Sequence, residues 1–352
     1  MEKIFKKVIY QYKHNILYRL IFYGLVMLSF IYKMIVVHKR KKGYDKQGFK
    51  GFIISIGNLT TGGTGKTPFA IFLAKKLSKH YRVCIIMRGY RGRYNRKPLL
   101  LKKPFSHSYK NVGDEPLLIA RKTGLPVIIS RDRLKALRLA EKVLAPDIVI
   151  LDDAFQHFAI KRDMNIVLID YFNPFGNGYL IPAGILREPL EALKQASVII
   201  ITKCDNRKTS SCSLTELKSK IKQYNPRALL FTSDFLLDGF TQKGKTVSAA
   251  SLKKKRMCLI SALGNPDYFE FLVKKYLAPS DLCHVIYPDH HFYNRNDIDT
   301  IRARPYDVFL TTDKDYIKLD RTGLWPIVFH VKFNLKDETK FLRYLNHEIK
   351  NH

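Results

Sequence analysis

Gly51-Phe52-Ile53-Ile54-Ser55-Ile56-Gly57-Asn58-Leu59-Thr60-Thr61-Gly62-Gly63-Thr64-Gly65-Lys66-Thr67-Pro68 decides the reading of this 352-residue chain. The apolar run 51–56 predicts a short buried strand, and the apolar periodicity through Leu77 predicts a helix, so the glycine-rich segment falls between strand and helix. Phosphate binding needs that context. Glycines let successive backbone N–H groups curl around phosphate oxygens at a helix N-terminus, Lys66 reaches the β- and γ-phosphates, and Thr67 offers its hydroxyl to Mg²⁺. Thr60, Thr61, Gly62, Gly63, Thr64, Gly65, Lys66 and Thr67 are therefore the candidate ATP-binding residues.

Thr60 stands where the common loop pattern has its first glycine. The loop thus reads x-G-G-x-G-K-T, the variant of the nitrogenase-iron-protein and MinD-like branch. A lysine often precedes the glycine pair in that branch. Thr61 holds that position here, which argues against a dimerising ATPase that inserts a lysine into its partner's site.

Downstream, apolar runs alternate with helical patterns, as in a parallel sheet covered on both faces, where ligands bind beyond the carboxyl ends of the strands. Reading each run to its end gives Arg88 after 83–87, Arg131-Asp132-Arg133 after 127–130, and Asp152-Asp153 after 148–151. Asp170 follows 166–169, Lys203 and Asp205 follow 198–202, Asp289-His290-His291 follow 284–287, and Asp313 with Asp315 follow 308–312. Ile148-Val149-Ile150-Leu151-Asp152-Asp153 is a Walker B pattern: one acid meets Mg²⁺ or its water shell and the other orients a neighbour. Asn111-Val112-Gly113-Asp114-Glu115-Pro116 opens a helix, where Asp114 is an N-cap or a catalytic carboxylate. Thr202-Lys203-Cys204-Asp205 is similar to the guanine-reading N-K-x-D motif of GTPases, with threonine for asparagine.

The remaining composition sets the partners. Sixty-two Lys and Arg against 30 Asp and Glu give a net charge of +32, which calls for a polyanion: nucleic acid, anionic lipid or a phosphorylated substrate. The five cysteines are odd in number and scattered, the pattern of reduced thiols in a cytosolic domain rather than of a zinc site or disulfide framework. Residues 20–32 carry no charge, and if Arg19 and Lys33 snorkel, the apolar stretch runs from 16 to 37, long enough to span a bilayer or to lie in its surface. A core helix would show a polar face, and a cleaved signal peptide would not end in Lys39-Arg40-Lys41-Lys42. Basic residues flank both ends, so charge alone leaves orientation open.

Together these motifs resemble the tetraacyldisaccharide 4'-kinase family of lipid A biosynthesis. The resemblance rests on 55–60 with the loop, Arg88-Gly89-Tyr90, Val112-Gly113-Asp114-Glu115-Pro116 and Arg131-Asp132-Arg133. It continues through Leu151-Asp152-Asp153-Ala154-Phe155-Gln156-His157, Leu186-Arg187-Glu188-Pro189-Leu190, Thr202-Lys203, Asp289-His290 and Thr311-Thr312-Asp313-Lys314-Asp315. It implies ATP- and Mg²⁺-dependent phosphoryl transfer to the 4'-hydroxyl of a tetraacylated glucosamine disaccharide 1-phosphate. Asp114 would then be the base, paired with His290 (or its neighbour His291), and Lys66 would neutralise the γ-phosphate. Thr67, Asp152 and Asp153 would serve the metal, and Arg88, Glu115, Arg133 and Glu188 would contact or support substrate and nucleotide. The partners become an anionic glycolipid and inner-membrane lipid rather than nucleic acid, with the basic runs 39–42 and 88–97 on the lipid. Its site would be the bacterial inner membrane, with the catalytic part facing the cytoplasm, where ATP is.

The expected architecture is an N-terminal membrane helix with its basic flank (1–42), a P-loop NTPase-like core lobe (43–238), and a smaller C-terminal α/β lobe (239–352) reached through the charged stretch 239–256. The basic helix 336–350 has no assigned role. The rival readings are a MinD/ParA-like membrane-associated ATPase and a GTP-binding transport factor.

Overall fold

The computed structural model describes residues 8–11, 15–41, 49–90, 92, 97–101, 107–205, 212–320 and 322–352. In chain order its strands begin with β1 (Phe52–Asn58), β2 (Val83–Met87), β3 (Leu99–Leu101), β4 (Val127–Ile129), β5 (Ile148–Leu151), β6 (Met164–Asp170) and β7 (Val198–Thr202). They continue with β8 (Leu229–Gln242), β9 (Lys245–Thr246), β10 (Arg256–Ser261), β11 (Asp281–Ile286), β12 (Val308–Thr312) and β13 (Ile327–Leu335). Packing groups the chain into two compact units, and both draw on residues from either side of 238.

The first unit takes Met1–Lys66, Asp153–Ser233 and Lys336–His352. Its strands run in the order β1, β6, β7 and the start of β8, all parallel. Every residue of β1, β6 and β7 is buried, the mark of strands covered on both faces. A core of Val167, Ile169, Ile199, Ile201, Leu193 and Phe155 fills one side. The C-terminal helix Glu338–Lys350 buries Phe341 and Leu345 here, with Phe341 edge-on to Phe231 at 5.5 Å, so that basic helix is a packing element of this unit.

The second unit takes Thr67–Asp152 and Asp234–Leu335. One set of its strands runs β5, β2, β4 in parallel with β3 antiparallel at the edge. The other runs β11, β10, β12, β13, all parallel. The stretch 239–256, expected as a connection, instead holds the end of β8, its hairpin partner β9 and the helix Ala249–Leu252. Strand β11 ends one residue before the expected run 284–287 does and begins three residues earlier. It lies at the sheet edge, half exposed, and Asp281 and His284 keep it from forming a continuous apolar run.

The N-terminal helix Ile16–Lys41 has 26 residues, about 39 Å at 1.5 Å per residue, against roughly 30 Å of bilayer hydrocarbon. It is long and apolar enough to cross a membrane. Phe22, Ser29 and Val36, spaced by seven, are its buried residues and face the first unit. The rest is a broad exposed apolar surface: Met27 is 74% exposed, and Ile16, Leu20, Phe30 and Met34 are exposed as well. A core helix would bury such a surface. Ser29 fixes the docking, because its hydroxyl donates to the Leu180 carbonyl at 2.8 Å and accepts from the Ala183 N–H at 3.0 Å.

Candidate active site

Strand β1 ends in a buried Asn58 that organises the loop after it. Its amide nitrogen donates to the Thr60 carbonyl at 2.7 Å, and its side-chain oxygen accepts from Lys66 Nζ at 3.0 Å. Lys66 also lies 3.5 Å from Asp153 Oδ1, which accepts from Arg187 Nη1 at 2.9 Å. Gly62 (φ 115°) and Gly65 (φ 86°) take backbone angles that side chains disfavour, which is how the loop turns its amides inward. Gly57 serves a close approach instead, since a Cβ there would stand 2.5 Å from Phe155 Cβ.

Two further supports hold this loop, and both lie in the segment that is similar to a base-reading motif. Thr202 Oγ1 donates to the Thr64 carbonyl at 3.0 Å, and Lys203 Nζ donates to the Gly63 carbonyl at 2.6 Å. Lys203 is buried and ion-paired with Asp170. Both side chains brace the loop backbone, and this is the role the structure shows for the first two residues of 202–205.

The segment carrying Glu188 flanks the loop on its other side. Thr60 bridges to Leu186, the Thr61 N–H donates to Ile185 O at 2.7 Å, and the Arg187 N–H donates to Leu59 O at 2.6 Å. Tyr32 of the N-terminal helix donates to the Arg187 carbonyl at 3.0 Å. Arg40 of the same helix pairs with Glu188, whose side chain is 0% exposed. Burial pushes the Glu188 carboxyl up to about 7, with Arg40 and Arg187 pulling against it. Arg40 was expected on lipid with the rest of 39–42. The structure gives it a protein partner, while Lys42 lies outside the described residues.

The second constellation lies wholly in the other unit. Helix Asp114–Thr123 begins at Asp114, and its cap position is Gly113, so Asp114 is not the N-cap. Its carboxylate is 6% exposed, accepts from the Glu115 N–H at 2.9 Å, and meets His290 Nδ1 with both oxygens at 2.9 Å. Burial raises its pKa, but the hydrogen bond from His290 and the neighbouring Lys314 and Lys318 ammonium groups outweigh that and hold it below the usual carboxylate range. His291 is engaged elsewhere, with Nε2 2.8 Å from Asp297 Oδ2, so His290 is the partner. Tyr90, Tyr109, Gly113, Phe292 and Lys318 line a small cavity with Asp114 and His290. His290 (φ 60°), Asp153 (φ 45°) and Lys203 (φ 62°) are three of the eight non-glycine residues in the left-handed region among the described residues.

The other expected residues fall as follows. Arg133 is buried and donates from Nη2 to the Asp152 carbonyl at 2.8 Å, so it braces the end of β5. Asp152 is buried there, and Thr67 is the second residue of helix Lys66–Leu77. Glu115 accepts from Lys314 Nζ at 3.2 Å. Arg88 is exposed just past the end of β2, and 91 and 93–96 of the basic loop 88–97 lie outside the described residues. Asn58, Lys314 and Lys318 were not singled out beforehand. A polar amide at the end of a mostly apolar strand was the available signal for Asn58.

A strand, a glycine loop with its lysine, a helix carrying threonine at its start and an acid at the end of a buried strand define a P-loop nucleotide-binding protein. The sequence profile described as tetraacyldisaccharide-1-P 4'-kinase (LpxK) matches residues 21–350, and the chain belongs to that family. The tetraacyldisaccharide 4'-kinase of Halothermothrix orenii is 34% identical over 89% of this chain and 86% of its own length. That of Geobacter sulfurreducens is 35% identical over 76% of this chain and 74% of its own. A crystal structure of the "apo" form of LpxK from Aquifex aeolicus in complex with ATP superposes with a TM-score of 0.73 at 28% identity, covering 94% of this chain and 99% of that one. Membership of this kinase family displaces the MinD/ParA-like reading.

Proposed function

We propose that this protein transfers the γ-phosphoryl group of ATP to the 4'-hydroxyl of a tetraacylated glucosamine disaccharide 1-phosphate. The observation that carries the reading is the buried Asp114 carboxylate, held by His290 at 2.9 Å beside an aromatic-lined cavity in a chain of this kinase family. The acceptor hydroxyl gives its proton to Asp114 as its oxygen bonds phosphorus, the β–γ bridging bond breaks, and ADP leaves. A carboxylate held below its usual range is a weak base. A loose transition state asks for little more, because the hydroxyl proton is lost late and positioning supplies most of the rate.

Lys66 neutralises the γ-phosphate, exchanging Asn58 and Asp153 for phosphate oxygens. Mg²⁺ fits the donors available, since a hydroxyl at Thr67 and carboxylates at Asp152 and Asp153 are the hard oxygens this ion prefers. Among the described residues no group of three or more His, Cys, Asp or Glu side chains could hold a metal, so the ion would take most of its coordination from phosphate and water. Asp152 would meet it directly or through water, while Asp153 positions Lys66 and Arg187. When bound, Mg²⁺ would offset charge on the phosphates.

An N-terminal helix long and apolar enough to cross a bilayer supports an inner-membrane location, with the catalytic part on the ATP-containing cytoplasmic side. Its substrate there is an anionic glycolipid, which suits the net charge of +32. The test is incubation of purified protein with γ-labelled ATP, Mg²⁺ and tetraacyldisaccharide 1-phosphate in mixed micelles. Label should appear in a bisphosphorylated lipid with the native chain and fall to background with Asp114→Ala. ATP hydrolysis without lipid labelling would overturn the reading.

A further inference from the structure

The Thr311-Thr312-Asp313-Lys314-Asp315 motif has no part in the mechanism so far, yet it delivers a side chain to the Asp114–His290 pair. Thr312 caps helix Asp313–Leu319 by accepting from the Asp315 N–H. The Asp315 carboxylate, fully buried, accepts from the Ala262 N–H at 3.0 Å and pairs with Lys318 at 2.7 Å, so the helix start is fixed on several sides. From that start Lys314 Nζ reaches three acceptors: Asp289 Oδ1 at 3.0 Å, Glu115 Oε1 at 3.2 Å and His290 Nε2 at 3.3 Å. An ammonium group has three N–H donors and no acceptor. Burial works against its charge, but Glu115, Asp114 and Asp289 outweigh that and raise its pKa, so it is a cation throughout the working range.

An imidazole nitrogen that faces an ammonium hydrogen must present its lone pair. We propose that Lys314 is a positioning residue that sets the tautomer of His290: donation to Nε2 leaves the ring proton on Nδ1, where it is shared by the two Asp114 oxygens. His290 is then a neutral donor. It orients the base and takes no proton itself, because its one lone pair is committed to Lys314. The opposite tautomer would set the Nδ1 lone pair against the Asp114 carboxylate at 2.9 Å. An imidazolium would place a second cation 3.3 Å from Lys314 Nζ. Among the described residues, the charged groups shown on the ring are Asp114, Asp289 and Lys314, with Glu115 on Lys314, Lys318 3.9 Å from Asp114 Oδ2 and the Tyr90 ring centroid 5.4 Å away. The catalytic consequence rests on the reading of Asp114 as base; the tautomer does not.

The test is ¹⁵N NMR of the full chain, labelled at histidine and held in detergent micelles, with His290→Gln identifying the resonances. At pH 7.5 the native ring should show a protonated Nδ1 and an unprotonated Nε2. Lys314→Gln should give mixed tautomers or an imidazolium, lower kcat about ten-fold or more, and leave the KM for ATP within about two-fold, with Lys314→Arg restoring part of both. A native ring protonated at Nε2, or at both nitrogens, overturns the inference, and that spectrum decides the matter even if Lys314→Gln does not fold. So does a Lys314→Gln enzyme that loses turnover while keeping the native ring pattern. A ring that shifts as expected with turnover unchanged upholds the tautomer assignment and removes Asp114 from the base role instead.

Discussion

Lys66 meets its side-chain partner Asn58 eight residues upstream, whereas Asp114 meets His290 across 176 residues. The first constellation has a local frame: strand, loop and helix are consecutive, and backbone geometry does most of the binding, with Asp153, Thr202 and Lys203 bracing it from elsewhere in the chain. The second is assembled by tertiary structure from the start of one helix, the turn after β11 and, through Lys314, the start of another helix. A local device tolerates change at single side chains if its backbone persists. An assembled one depends on each arm being held in place, which accounts for the density of ion pairs around Asp114.

That difference can be broken at the loop first. Lys66→Ala removes charge and leaves the backbone cradle, so kcat should fall about 10²- to 10³-fold with the far-ultraviolet circular dichroism unchanged. Near-native turnover would end the phosphate-binding assignment. Asn58→Ala should cost less, about ten-fold, because Lys66 keeps Asp153 as a guide; the readout is the KM for ATP alongside kcat. Gly57→Ala tests the backbone itself. Its new Cβ would collide with Phe155, so the thermal midpoint should drop by about 5 °C. A midpoint equal to the native one would show that the β1–Phe155 contact has slack.

The smallest effect concerns the helix–loop contact at Glu188. A carboxyl whose folded pKa lies near 7, above its ordinary 4.5, contributes stability that is fully present below pH 4.5 and lost as pH rises through 7. Glu188→Gln should therefore flatten the pH dependence of the thermal midpoint between about pH 5 and 7.5. An unchanged slope would mean that the Arg40 ion pair keeps the group ionised throughout.

The same contrast explains what the sequence disclosed. The loop, the Walker B acids and most strands of the parallel sheet were legible because each is a contiguous signal: a glycine spacing, a fully apolar run, an acid at its end. The start of strand β11 was missed because this half-exposed edge strand opens with Asp281 and carries no continuous apolar run, and 239–256 resembled a connection because lysines fill the hairpin turn and follow the one-turn helix. Asp114 and His290 could be named only through family resemblance, since one side chain at a helix start and one in a turn carry no spacing that links them. Arg40 illustrates the limit. Within the run 39–42 it looked like one more lipid-facing charge, and only the fold reveals Glu188 as its partner. Lys203 was likewise read only as a strand-end residue in a motif similar to a base reader, because its anchor, the Gly63 carbonyl, lies 140 residues away.

The central claim is that Asp114 and His290 act as one unit, and a double-mutant cycle on kcat for the lipid substrate tests it most directly. Asp114→Ala should lower kcat about 10²- to 10⁴-fold with little change in the KM for ATP, and His290→Ala should act in the same direction. Removing both should cost about as much as the worse single change, because His290 acts through the carboxylate it orients. Losses that multiply in the double variant would contradict the account and give the two residues separate roles.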